Sequence, residues 1–294
     1  MRTVRPTFRP TMRSAMVASA SLVTVLALAS CAQEDSDEPD AAATTEDACA
    51  SITTVADGSL TVETSDPAFP PYVIKNDPTN GKGFESAVAY AVAAEMGFTE
   101  DQVEWTFAGF SQLFAPGDKD FDVALNQISI TPKREQAVTF SAPYYEASNG
   151  VLVLEDSEFA DSTTLAELQD AKIGVQIGTT ALEQVETQIA PTQEVAVFDD
   201  TTASTQALAN GQIDALITDL PTTLYLAAVE VDGGTVIGQL PGDEAADTWG
   251  LVLQKNNALV GCVDQALTTL TESGELQQIT DEWMTEYNKA PVLG

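Results

Sequence analysis

Histidine is absent from all 294 residues. That one absence removes Ser-His and Cys-His nucleophile pairs and every histidine-based metal site. Basic residues are scarce too, 12 against 45 acidic, giving a formal net charge of −33. Four of the twelve, Arg2, Arg5, Arg9 and Arg13, precede an apolar run over 15–30, and beyond that run Arg134 is the only arginine. A surface this acidic repels nucleic acid and anionic headgroups, so nucleic acid is not expected as a partner. No G-x-x-x-x-G-K-[ST] phosphate loop occurs, so the chain cannot draw on a nucleotide itself. Cysteine is limited to Cys31, Cys49 and Cys262, and neither a metal nor another cofactor is expected. Carboxylate or lysine acid/base chemistry passes these filters, with Glu85 or Asp66 as the acids that could be named.

The apolar run over 15–30 follows an arginine-bearing start and is short and rich in small residues, the pattern of a secretory signal and not of a spanning helix. It ends Leu28-Ala29-Ser30-Cys31, which resembles a bacterial lipobox; the resemblance implies acylation of Cys31 and a membrane attachment through lipid alone, on the outer face of the cytoplasmic membrane. Residues 31–48 carry many acids and no large apolar side chain, so they are expected to be a flexible tether.

Beyond the tether the chain is long enough for two modest domains, and strands alternate with helices as in βαβ units. Strands are expected over 60–64, 103–107, 121–125, 151–154, 172–176, 194–198 and 213–218, with a returning strand over 247–255. Helices are expected over 86–96, 164–171, 180–189, 201–210, 220–229, 258–271 and 275–287. No internal repeat is visible. The expected division is a first lobe of 49–146 and 245–294 and a second of 147–244.

The strand over 121–125 runs into Asn126-Gln127-Ile128-Ser129-Ile130-Thr131-Pro132-Lys133-Arg134, delivering amides, hydroxyls and then one guanidinium to a single place. A guanidinium grips a carboxylate through two parallel charge-assisted hydrogen bonds, so a small anion suits this stretch. Two more strand ends are polar. One leads through Gly178-Thr179-Thr180 into a helix start, where free N–H groups favour an anion. The other ends at Asp219 just before Leu220-Pro221, a position that taken alone is more often a helix cap than a ligand group.

Residues 122–145, DVALNQISITPKREQAVTFSAPYY, resemble the signature of the polar amino-acid-binding proteins of ABC importers, solute-binding family 3, and the likeness extends over most of the mature chain. It implies an α/β fold of two lobes, of the type II periplasmic-binding-protein kind, each lobe a mostly parallel sheet flanked by helices with a hinge between. It implies that Arg134 takes a ligand α-carboxylate beside Ser129, with Gly178, Thr179 and Thr180 binding the same group from the other lobe and Asp219 accepting the α-ammonium. Phe69 would cover one side of the ligand and Phe110 the other. Asn126, Gln127 and Gln176 would line a polar side-chain pocket, and Asp66 could hold a basic tail. Closure on a polar α-amino acid would be read by a membrane permease working with an ATPase subunit, the binding protein acting as a monomer. The remaining pair Cys49 and Cys262 is expected to form a disulfide, as in similar exported lipoproteins. The chain departs from the family at 83–88, where Gly-Phe-Glu-Ser-Ala-Val replaces Gly-Phe-Asp-x-Asp, and at Asn126 and Gln127. Two alternatives stay open, an exported dehydratase of the same fold and an anchored ligand sensor; the main expectation is a protein that is not an enzyme.

Overall fold

The computed structural model describes residues 49–50, 52–242 and 248–294. The expected signal segment, the expected acylation site Cys31, the whole tether and the proposed lobe boundary near 245 lie outside the described residues. In chain order the strands are β1 (Leu60–Thr64), β2 (Val103–Phe107), β3 (Val123–Ala124), β4 (Val138–Glu146), β5 (Asn149–Leu154), β6 (Ile173–Gln176), β7 (Ala196–Phe198), β8 (Ala215–Asp219), β9 (Gly234–Gln239) and β10 (Thr248–Gln254). The α-helices are α1 (Phe84–Glu95), α2 (Phe110–Leu113), α3 (Thr180–Gln184), α4 (Thr201–Ala209), α5 (Leu220–Tyr225), α6 (Val260–Ser273) and α7 (Glu275–Met284).

Two five-stranded sheets result, ordered β2-β1-β3-β10-β4 and β7-β6-β8-β5-β9. The two orders are the same pattern written twice, an internal symmetry that the sequence does not reveal. In each sheet four strands share one direction and the fifth, β10 or β5, runs against its neighbours. Those reversed strands are the ones that enter from the other lobe. The first crossing is the two-residue step from β4 to β5, Ala147 and Ser148, and the second runs from β9 back to β10.

Alternation along β5 shows why each sheet needs helices on both faces. Val151 and Val153 pack with Ile173, Val175 and Ile217, whereas Leu152 between them packs with Leu208, Leu216 and Leu226 on the opposite face. Side chains of period two cannot reach one layer, so two layers form. In the first lobe α1 lays Phe84, Val88 and Val92 against Leu251, Leu253 and Leu267, and each such side chain contributes about 1.5–3 kcal/mol by leaving water. Gly83, φ 102°, makes the entry to α1 possible, because a Cβ there would collide with the Tyr72 carbonyl.

Several expected elements change form. Residues 138–146 and 234–239 are strands that the sequence reading left out, since Pro143 and two glycines disguise them; β9 is a sheet edge, where glycine is tolerated. The helix expected over 164–171 is a single 3₁₀ turn, Leu165–Leu168, and the helices expected over 180–189 and 220–229 pass into π-turns at Val185–Ile189 and Leu226–Glu230. Cys49 and Cys262 are joined, with Cα atoms 5.0 Å apart, fastening the start of the described chain to α6. The chain end departs from the expected first lobe. Beyond α7, Pro291 accepts a hydrogen bond from the Gln239 amide (2.8 Å), the Leu293 amide donates to Gln239 (2.9 Å), and Leu293 is buried among second-lobe residues.

Candidate functional site

Parallel strands of both sheets end at a shared cleft, the usual location for ligand groups in open α/β sheets. It encloses about 250 Å³, below the roughly 300–1,000 Å³ of pockets for drug-sized ligands, so it suits a molecule the size of one amino acid. Of the twelve expected ligand residues, eleven line it: Asp66, Phe69, Phe110, Asn126, Gln127, Ser129, Arg134, Gln176, Thr179, Thr180 and Asp219. Gly178 stands just behind, reaching the site through its carbonyl.

Arg134 opens a 3₁₀ turn, Arg134–Gln136, whose first amide donates to Thr131 Oγ1 at 3.2 Å. The side chain is 7% exposed. One guanidinium nitrogen donates to the Ser129 carbonyl (2.7 Å) and the other to the Gly178 carbonyl of the second lobe (3.0 Å). Its carbon lies 4.3 Å from the centre of the Phe114 ring and 5.6 Å from that of Phe110. Burial lowers its pKa to about 10, so the charge persists at neutral pH. The guanidinium has five N–H donors and these bonds engage two, leaving donors for the cavity it lines. The sequence reading missed Phe114, although Phe at four-residue spacing after Phe110 puts both rings on one face of a helical turn.

Asp219 ends β8 and does two things at once. Its carboxylate caps α5 by accepting from the Thr222 amide (3.1 Å), and it accepts from the hydroxyl of Tyr72, a fully buried side chain of the first lobe. A carboxylate has about four acceptor sites, so capping and a ligand contact are compatible. Tyr72 and Arg134 are therefore the points at which the two lobes bond across the cleft. Thr179 precedes α3 with no side-chain cap; its hydroxyl donates back to the Gln176 carbonyl at 2.8 Å. The amides of that helix start thus keep no capping side chain.

The expected amide-lined pocket is arranged differently from the simplest reading. Gln127, held at φ 50°, turns its Nε2 away to the buried carboxylate of Glu85, while Asn126 Nδ2 donates to Gln127 Oε1 at 3.3 Å. Gln176 accepts from Thr201 Oγ1 (2.9 Å), and Asp66 accepts from Asn76 Nδ2 (2.7 Å) at the exposed rim. Asp199, Asp200 and Thr201 join the lining from the start of α4, where Asp200 caps the helix through the Ala203 amide. Trp249 of β10 lines the floor, its ring 5.6 Å from Tyr72 and 5.0 Å from Tyr145. Neither set was foreseen; the Asp-Asp-Thr-Thr run before an Ala-rich helix was the available signal for the first. Asp122, the acid that opens the signature stretch, has a framework role: it accepts from the Val55 and Thr61 amides, both at 2.8 Å.

Glu85 lies beneath this floor, 1% exposed. Its carboxylate accepts from the Gln127 amide (2.7 Å), from Gln127 Nε2 and from the Tyr144 hydroxyl. Burial raises its pKa to about 7 against the opposing pull of those donors, with the Asp219 charge adding to the rise.

Residues 60–286 match the family model for bacterial extracellular solute-binding proteins, family 3. The arginine-binding periplasmic protein of Mannheimia haemolytica is 30% identical over 227 residues, 74% of this chain and 89% of that protein. The L-cystine-binding protein TcyJ of Escherichia coli strain K12 is 27% identical over 216 residues, covering 73% and 79%. Among solved structures, an ancestral arginine-binding protein bound to glutamine superposes with a TM-score of 0.66 at 28% identity, covering 77% of this chain and 97% of that one. With its two matching sheets, its hinge and its cleft, the chain belongs to the bacterial extracellular solute-binding proteins, family 3.

Proposed function

We propose that this protein is the extracytoplasmic receptor of an ABC importer for a polar α-amino acid. The observation that carries the reading is that Arg134 and Asp219, charges of opposite sign supplied by different sheets, bound one small cavity. A zwitterion needs a fixed cation and a fixed anion, and taking them from two lobes makes ligand binding favour closure. In this reading Arg134, Ser129 and the helix start at Thr180 hold the carboxylate, Gly178 and Thr179 shaping that turn, and Asp219 holds the ammonium. Phe69 and Phe110 cover the ligand stem.

The remaining lining selects the side chain. Asn126, Gln127 and Gln176 present polar groups, while Asp66, Asp199 and Asp200 add carboxylates where Arg134 is the only lining cation among the described residues. That imbalance favours a cationic side chain, consistent with the arginine-binding relatives, and the acidic surface would steer such a ligand inward. The permease with its ATPase subunit is the partner that would read closure. The lipobox-like Leu28-Ala29-Ser30-Cys31 supports anchoring by lipid, and a cleft lined from a single chain supports monomeric action. Catalysis is not part of the proposal: of the two acids that could be named for it, Glu85 is enclosed below the floor by Gln127 and Tyr144, and Asp66 is held by Asn76 at the exposed rim.

Calorimetric titration of residues 49–294 with the twenty amino acids, after unfolding and refolding to strip carried-over ligand, tests the reading. Micromolar or tighter binding of one or a few amino acids is expected, L-arginine among them. A folded protein that binds none would end it.

A further inference from the structure

Glu85 does not line the cavity, yet it is buried just behind its wall. Three donors converge on it: the backbone and side-chain N–H groups of Gln127, from the segment after β3, and the hydroxyl of Tyr144 from β4. Gln127 in turn accepts from Asn126, and both residues form part of the cavity wall. Gln127 sits at φ 50°, a backbone region that a residue with a Cβ rarely adopts, and the bond from its own amide to Glu85 holds it there. The titratable groups that act on Glu85 are Tyr144 from β4, through its hydroxyl, and Asp219 from the second lobe, through its charge, while Tyr72 in the loop before α1 feels the charge of Glu85 in turn. Among the described residues, no cation is among the influences on it.

We infer that Glu85 is a positioning residue that couples a proton to ligand binding: its ionised carboxylate fixes Gln127 and Asn126 in the cleft wall, and the ligand ammonium at Asp219 favours that ionised form. The inference rests on the amino-acid reading above. The electrostatic step is direct. Asp219 raises the pKa of Glu85, so a cation placed on Asp219 offsets that influence and lowers it again. The protonated carboxyl would also lose one of its acceptor sites, loosening its hold on the two Gln127 donors. With a pKa of about 7 in the free protein, Glu85 is partly protonated at neutral pH, and binding then releases a proton. Affinity accordingly rises from pH 6 to pH 8.

The test is calorimetry on residues 49–294 with L-arginine and L-glutamine, whose side chains and α-groups do not titrate between pH 6 and 8, in phosphate and in Tris at pH 7. The wild type is expected to bind about tenfold more weakly at pH 6 than at pH 8, within the limit of about tenfold per pH unit for one linked proton, and to release a fraction of a proton at pH 7. Glu85→Gln should abolish both the pH slope and the proton release. Gln127→Ala removes a donor that stabilises the ionised form, so the midpoint of its profile should move to higher pH; this variant leaves Glu85 in place and covers the case in which Glu85→Gln does not fold. A wild-type affinity that is flat from pH 6 to 8, or a slope unchanged in Glu85→Gln, would overturn the inference while leaving the receptor reading intact. If neither these probes nor any other amino acid binds at pH 8, the receptor reading fails and takes the inference with it.

Discussion

The two lobes share one strand order and contribute opposite kinds of chemistry to the cleft. The first lobe works through buried side chains that hold one another: Glu85 on Gln127 and Tyr144, and Arg134 between the Ser129 carbonyl and the rings of Phe110 and Phe114. The second works through chain ends and exposed groups: the starts of α3, α4 and α5, the hydroxyls of Thr179 and Thr201, and the acids Asp199 and Asp200. A permanently charged guanidinium must be desolvated and oriented to be selective, which takes a built wall. Backbone amides are oriented by the helix itself and need no such support. The lobes are also closed off differently, the first by the Cys49–Cys262 bridge and the second by the returning chain end with Leu293.

The sharpest way to break this comparison is to remove the charge from each side. Arg134→Ala is expected to cost about 3–5 kcal/mol of binding, more than a hundredfold, with the circular-dichroism spectrum unchanged. Asp219→Asn keeps a competent helix cap, since Asn caps as well as Asp, and should cost less, about 2–3 kcal/mol. Equal affinity of either variant and the wild type would remove that residue from the site.

The bridge separates the lobes in stability. It closes a loop of 213 residues in sequence separation, and replacing both cysteines by serine should lower unfolding free energy by about 2–4 kcal/mol in a denaturant titration. The loss should appear as earlier exposure of first-lobe tryptophans Trp105 and Trp249.

Glu85 gives a pH test of the buried wall. Its carboxyl lies at about 7 when folded and near 4.5 when unfolded, so between those values the folded chain binds more protons. Its contribution to stability is therefore largest below pH 4.5 and declines by about 3 kcal/mol as pH rises to 7. The stability difference between wild type and Glu85→Gln, followed from pH 4.5 to 7.5, should track that decline. The smallest effect belongs to the exposed acids of the second lobe: Asp199→Asn should weaken L-arginine binding by about 0.5 kcal/mol, a difference that salt erases.

Much of this was legible in the residues. The strand-then-arginine order located Arg134, and the boundaries of β1 and β2 follow directly from alternation and flanking loops. Asp219 also fell where a strand meets a proline-started helix. What escaped were relations set by folding at a distance. Nothing local says that Glu85, opening a helix, would meet the Gln127 amide 42 positions on, or that Tyr72 would bond Asp219 across 147. The same holds for β9, whose glycines deny it strand character until the chain end lies along it, Gly238 packed under Leu293. The symmetry of the two sheets is likewise a property of hydrogen-bonded order, not of residue identity.

The central claim is that Arg134 of the first lobe and the helix start at Thr180 of the second close on the carboxylate of a single amino acid whose ammonium Asp219 holds. It is tested most directly by titrating residues 49–294 with the tightest-binding amino acid and with its α-carboxamide, which keeps the ammonium and side chain but removes the anion. The account predicts micromolar or tighter binding of the acid and at least about hundredfold weaker binding of the amide, the cost of leaving a buried guanidinium without its anion. Equal affinities for the two would contradict it.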